Sequence, residues 1–457
     1  MFAIPGILAL VTLIYVRPQE FAEAARSLPL LYLALGLTVF GLVVDWRLRL
    51  SRLELAPQVP WIGIFFAWSM LTVMLRNPPM LGTEALAIGV AIVLALSIMH
   101  GVQTLRAFQV VAAVVLGCTL FLSVIGVAQS FAPYTCMAID ESASEPGRGH
   151  FDGRPCESFR DCQIDAPEPG ADYRCERAGV LGTSTIGGRV RYIGVLEDPN
   201  FLALTIGCGL PFAFALAERK RSPPRRILLW LALVLCMLCA IVTKSRGGQI
   251  VFLVVIGTYL IKRYGPRGLL LGALLALPLL LFGGRSGEEA ESSTLERLEC
   301  WFEGMTMVRD YPIVGVGAGQ FLEHHYQAAH NSYIQAPAEL GLPGMVWWSS
   351  VLYLSAKIPV QALRRYASEP RAAAARTWAM ALLASLAGLV VGIMFLSFCY
   401  HYVLWIYVGL AGAFHGVLRT HDPEWRVRFD WRDLARVVVI DLLLVVGLYG
   451  YTRIKMM

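Results

Sequence analysis

The chain has 457 residues, of which 56% are hydrophobic and only 16% charged, a composition too apolar for a soluble globular protein and suited to a bilayer. The formal net charge of +6 would fit a nucleic-acid binder, but Lys and Arg gather in alternate loops. That pattern is a topology signal and argues against a nucleic-acid partner.

Apolar runs approaching the roughly 17–25 residues that cross a hydrocarbon core recur along the chain. They fall near 2–16, 29–44, 59–75, 82–99, 107–131, 199–217, 227–243, 247–261, 268–283, 343–358, 377–397, 400–418 and 436–451. The fold class expected is therefore an all-α polytopic membrane protein with about 12–13 transmembrane helices. The first run lacks a basic leader and ends in Arg17-Pro18-Gln19-Glu20, so it is expected to stay as an anchor rather than be cleaved. Basic residues concentrate in 45–58, 218–226, 262–267, 357–376 and 419–436, which the positive-inside rule makes cytoplasmic, together with the N-terminus. Two long, net-acidic loops then face outward.

The expected organisation is N-terminal helices at 1–131, a Cys-containing outer loop at 132–198, central helices at 199–283, an outer loop at 284–342 and C-terminal helices at 343–457. Cys136, Cys156, Cys162 and Cys175 cluster in the first loop among Gly, Pro and acidic residues. In an oxidising compartment they are expected to form two disulfides, with three possible connectivities. A zinc site is the rival, though no Cys-x-x-Cys pair is present. Such a stapled loop reads as a scaffold or cap. Within the spans Asp441 is the clear ionisable residue, too little charge for a proton-coupled transporter.

The second loop has its own order. Ser293-Thr294-Leu295-Glu296 has the form of a capping box. Leu295, Leu298, Trp301, Met305 and Val308 then recur at helical spacing, an amphipathic helix against the membrane surface or the bundle. Pro312 ends it, Gly315, Gly317 and Gly319 form a turn, and a second short helix is expected between His330 and Gly341-Leu342-Pro343-Gly344.

The segment His330-Asn331-Ser332-Tyr333-Ile334-Gln335, continuing through Glu339-Leu340-Gly341 to Gly344, resembles the signature of the O-antigen ligase and polymerase superfamily. In that family the pattern His-Asn-x-x-(Leu/Ile)-Gln-x-x-x-Glu-x-Gly-x-x-Gly precedes a membrane span. Thr243-Lys244-Ser245-Arg246-Gly247-Gly248 is similar to the family's Ser-Arg-Gly turn. The stretch from Arg297 to Trp301, with Pro312 to Gly317, is similar to its Arg helix and Pro-Gly run, and Glu197-Asp198-Pro199-Asn200 to a further common element.

The resemblance implies a multi-pass protein of the bacterial inner membrane with its active site facing the periplasm. It implies a metal-independent glycosyltransferase, without cofactor, that moves a glycan from undecaprenyl diphosphate to a hydroxyl acceptor, lipid A-core or another glycolipid or glycan. Physical chemistry asks for the same parts. Guanidinium groups bind diphosphate oxygens bidentately without titrating, a role for Arg246 and Arg297, whose bland reading is an interfacial anchor. Histidine titrates near the working pH, so His330 serves as base or orients the acceptor. Glu339 is either catalytic or a structural cap of the loop's return to the bundle. Arg189, Arg191, Tyr192 and Asp198 are candidates to extend the anionic-lipid site, and Asn331, Tyr333 and Gln335 to bind substrate. His324 and His325 lie near His330, but no ligand spacing completes a metal set. A polymerase joining lipid-linked repeats and a protein O-oligosaccharyltransferase share the signature. A lipid-linked glycan permease is the alternative from another class, disfavoured because it would line its core with charge.

Overall fold

The computed structural model describes residues 1–52, 55–139, 149–164, 166–167, 171–219, 222–282, 284 and 288–456. Lys220 and Arg221 of the basic loops, and residues 140–148 of the first outer loop, lie outside the described residues. Among the described residues nine helices are long and apolar enough to cross a membrane, with two shorter apolar helices at Ala3–Val16 and Pro266–Phe282. The chain is an all-α polytopic membrane protein.

In chain order the helices that build the bundle are α1 (Ala3–Val16), α2 (Leu30–Arg47), α3 (Val59–Arg76), α4 (Leu81–Gly101), α5 (Leu105–Ser130), α6 (Pro199–Gly209), α7 (Pro211–Arg219), α8 (Pro223–Val242), α9 (Arg246–Tyr264) and α10 (Pro266–Phe282). They continue with α11 (Glu288–Asp310), α12 (Ser332–Arg365), α13 (Ala373–Gly392), α14 (Tyr402–His421) and α15 (Trp431–Met456). Lipid tails are as apolar as Leu, so helices associate where small residues let backbones close in. Gly409 and Gly412 of α14 do this against Ala95 and Met99 of α4, where a Cβ on Gly409 would stand 3.0 Å from the Ala95 carbonyl oxygen. Gly388 and Gly392 of α13 do the same against Val251 and Val255 of α9. Aromatic rings fill what remains, Phe108 edge-on to Trp378 at 5.7 Å and Phe212 stacked on Tyr407 at 6.2 Å.

Polar contacts sort the two ends of the bundle. At one end Lys357 meets Asp433 at 2.5 Å, Arg365 meets Asp422 at 2.7 Å and Arg263 meets Glu218 at 2.9 Å, all from the basic loops or the helix ends beside them. At the other end Asn77 donates to Gln320 at 2.7 Å and a ring nitrogen of His401 lies 2.9 Å from the Val195 carbonyl. Both long loops thus sit at the end opposite the basic connections.

The first loop carries structure that helical periodicity does not announce: a three-stranded antiparallel sheet ordered β2-β1-β3, from β1 (Tyr134–Ile139), β2 (Gly149–Pro155) and β3 (Tyr173–Arg177). The four loop cysteines pair as Cys136–Cys162 and Cys156–Cys175, resolving the connectivity. The remaining six cysteines are free and buried. Buried Glu176 of β3 ties the sheet to the chain that follows, accepting from the Thr185 hydroxyl at 2.6 Å and the Gly187 amide at 2.6 Å.

In the second loop the helix α11 begins at Glu288, ahead of the Ser293 capping box, so Ser293 lies inside the helix and does not start it. Of the expected stripe, Leu298, Met305 and Val308 are buried while Leu295 is exposed. The helix ends at Asp310, just before Pro312. Gly315, Gly317 and Gly319 all take positive φ, at 68°, 110° and 74°. A Cβ on Gly315 would stand 2.4 Å from the Glu339 carbonyl oxygen; the turn is built for glycine rather than loosely flexible. Residues from Ser332 form a helix that breaks at Gly341 (φ 69°), beyond which α12 continues to Arg365.

Candidate active site

Three helix starts and α11 supply the groups. Asp198 caps α6, its carboxylate accepting the Asn200 amide at 2.5 Å. Ser245 caps α9, its hydroxyl accepting from the Gly248 amide at 3.0 Å and donating to the Asn200 side-chain carbonyl at 2.6 Å. Arg189 joins the same knot, donating to that Asn200 oxygen at 3.2 Å and to the Thr243 carbonyl at 3.0 Å. Arg246, the first helical residue of α9, therefore projects from a fixed platform and is exposed. Helix N-termini with basic side chains beside them favour anions.

His330 precedes the Asn331 cap of α12 and takes the left-handed conformation, φ 48°. Its backbone amide donates to the Ser397 hydroxyl at 2.9 Å. Ser332 fastens the same crossing, donating to the Leu396 carbonyl at 2.7 Å and accepting from the Phe398 amide at 2.8 Å. Burial pushes the His330 imidazole below its ordinary range, the nearby Arg297 cation lowers it further, and Asp198 opposes both. At neutral pH the ring is uncharged and able to accept a proton. The charges of Arg297 and Asp198 thus both act on His330, and Asp198 also caps the helix start at Asn200, whose side chain Arg189 and Ser245 share.

Other candidates lie differently. The Asn331 side-chain oxygen accepts from the Tyr333 amide at 2.9 Å, while its side-chain nitrogen is buried with no hydrogen-bond partner among the described residues. Tyr333 turns inward, its hydroxyl donating to the Val390 carbonyl at 2.9 Å. Gln335 lies between Glu339 and the Cys399 amide, at 3.4 Å from each. Glu339 is buried and accepts the Gly319 amide at 3.1 Å, and burial pushes its carboxyl up to about 7. Its contacts fasten the glycine turn rather than face His330.

Arg191 is buried, donating to the Ser184 carbonyl and hydroxyl at 3.0 Å each. The Tyr192 hydroxyl donates to the Val16 carbonyl at 2.5 Å. Both side chains are engaged in packing the outer end. His324 is exposed, and a His325 ring nitrogen lies 3.1 Å from the Gln327 carbonyl oxygen, away from His330 in the bonding of the loop. Among the described residues the one cluster with metal-ligand geometry is Cys136, Cys156 and Cys162, all disulfide-bonded.

Sequence reasoning passed over Asn200 and Ser397. Asn200 lay within a quoted element and could have been found as the polar residue at a helix start. Ser397 stands between two membrane spans with no pattern around it.

Residues 231–349 match the family model described as O-antigen ligase, a stretch that contains Arg246, Arg297, His330 and Glu339 but neither the disulfide-bonded sheet nor Arg189 and Asp198. No curated protein matches the chain. Over residues 231–349, the stretch that holds these side chains, the chain is similar to the O-antigen ligase family.

Proposed function

We propose that the protein is a glycosyltransferase that moves a glycan from undecaprenyl diphosphate to a hydroxyl of a lipid A-core or similar acceptor, at the periplasmic face of the inner membrane. The observation that carries this reading is a neutral, half-buried His330 held beside the Arg297 cation and linked through Asp198 to the Arg189–Asn200–Ser245 knot that mounts Arg246.

In the reaction an acceptor hydroxyl gives its proton to a His330 ring nitrogen while its oxygen bonds the anomeric carbon of the donor. The bond from that carbon to the diphosphate oxygen breaks, and the electron pair leaves with undecaprenyl diphosphate. Arg246 and Arg297 meet the charge that develops on the leaving group, where preorganised donors act most strongly. Asn331 offers a buried N–H that lacks a partner among the described residues, the kind of donor that a bound glycan oxygen satisfies. These cations supply the stabilisation without a metal.

The test is the surface glycan of a deletion strain carrying variants. His330→Ala, Arg246→Ala and Arg297→Ala each abolish transfer while the protein remains inserted. Loss of all repeats from the lipid core with polymer retained on the carrier marks a ligase. A single repeat on the core marks a polymerase, and unchanged lipopolysaccharide with altered glycoprotein moves the acceptor to protein. Full complementation by His330→Ala overturns the catalytic reading and brings the permease forward.

A further inference from the structure

The disulfide-bonded sheet does more than cover the bundle. Between β2, the segment after α1 and the stretch that leads into α6 lies a pocket of about 240 Å³. Its walls include Glu20, Arg26, Phe151, Leu181, Arg191 and Glu197. Polar and apolar groups alternate around it, unlike the groove at Asp441, which is lined almost wholly by apolar side chains such as Leu352, Val390 and Leu444. Arg246, Arg297 and His330 do not line it, yet Glu197 at its edge is next in sequence to Asp198, whose charge acts on His330. The pocket therefore adjoins, through Glu197, the segment that carries Asp198, while Arg246 and Arg297 stay out of its lining.

Its chemistry is specific. Arg191 is fixed by its bonds to Ser184 and sits within the field of Glu197, Glu176 and Asp198. Arg26 is exposed and makes no hydrogen bond or ion pair among the described residues. Leu181, in the lining, is held at φ 59° and ψ 29°, a left-handed backbone that a bulky residue keeps only where its surroundings force it, as at ligand sites. A half-buried aromatic ring, fixed carboxylates and guanidinium groups suit a ring that has apolar faces and a hydroxylated edge. The volume lies just under the roughly 300–1,000 Å³ of sites for drug-sized ligands, so it holds a single sugar ring rather than a long oligosaccharide.

We propose that this pocket is a saccharide subsite, built in part by the sheet, that seats a sugar unit next to the reaction centre. The inference rests on the glycan-transfer reading above. The sugar comes either from the acceptor or from the donor glycan, and the experiment separates the two. The full chain in lipid nanodiscs is presented with two probes released by mild acid from the surface polysaccharide of the source strain: the core oligosaccharide and the repeat-unit polymer. Saturation-transfer-difference NMR reads binding. Transfer to the core fragment identifies an acceptor subsite, and transfer to the repeat polymer a donor subsite. In either case Arg26→Ala and Phe151→Ala each weaken binding about tenfold, roughly 1.4 kcal/mol. Intact mass without reductant, showing both disulfides, confirms that the variants keep the sheet. Binding of neither probe, or binding indifferent to Arg26 and Phe151, overturns the subsite. If Phe151-dependent binding persists but His330→Ala still transfers glycan in the deletion strain, the transfer reading falls and the subsite stands.

Discussion

At the scale of single residues, His330 joins two demands that conflict. The backbone takes a left-handed conformation, which costs an L-residue roughly 1–2 kcal/mol, and the side chain must present an uncharged imidazole. Asparagine tolerates that backbone better than most residues but cannot act as a base near neutral pH. His330→Asn is therefore expected to keep the thermal midpoint, changing stability by no more than about 1 kcal/mol, and to lose transfer. The electrostatics give a second expectation. Because Arg297 pushes the His330 pKa down and Asp198 pushes it up, the acid limb of the pH–rate profile should lie below the ordinary histidine value of about 6.5. Arg297→Gln moves that limb to higher pH and Asp198→Asn moves it lower, independently of the change in maximal rate. Opposite movements, or none, would remove His330 as the group that titrates. Glu339 is expected to act on stability instead. Its carboxyl is raised by burial to about 7 from an ordinary value near 4.5, so the fold favours the protonated form. The stability this gives is fully present below about 4.5 and lost as pH rises through about 7. Glu339→Gln should flatten the thermal midpoint across that window and raise it at pH 8.

At the scale of elements, the turn between α11 and α12 depends on glycine for space as well as for conformation. A Cβ on Gly341 would stand 2.1 Å from the Ile313 carbonyl oxygen, a backbone atom that cannot turn aside. Gly341→Ala and Gly315→Ala should each cost at least about 2 kcal/mol and show as faster proteolysis of residues 311–342 with the spans intact. Normal resistance would mean that the loop re-forms around the extra atom. The sheet responds separately. Its disulfides join residues 26 and 19 positions apart, separations at which a cross-link contributes roughly 3 kcal/mol. Replacing Cys136 and Cys162 by Ser should loosen residues 134–177 to protease while the bundle remains inserted.

At the scale of the whole molecule, the charge asymmetry and the grouping of contacts at opposite ends of the bundle predict one topology, with residues 132–198 and 284–342 outside. Reporter fusions at 150 and 290 should report periplasmic locations, and a cytoplasmic result at either removes the donor-lipid argument. The sequence by itself determined the membrane class, the order and sidedness expected of the loops, and the residues of the His330–Gly344 segment. Hydropathy and charge act locally along a chain in a bilayer, and a dense motif is legible without its neighbours. Only the tertiary structure decided that the charges of Asp198 and Arg297 act on His330, that Asn200 and Ser245 join Arg189 to the start of α9, and that Glu339 holds the glycine turn. Those contacts join residues from 11 to more than 130 positions apart, and no periodicity encodes them. The sheet was hidden for a related reason. Its strands are short, interrupted by Gly, Pro and charge, and stapled by disulfides whose partners depend on where the chain returns rather than on which residues stand beside each cysteine.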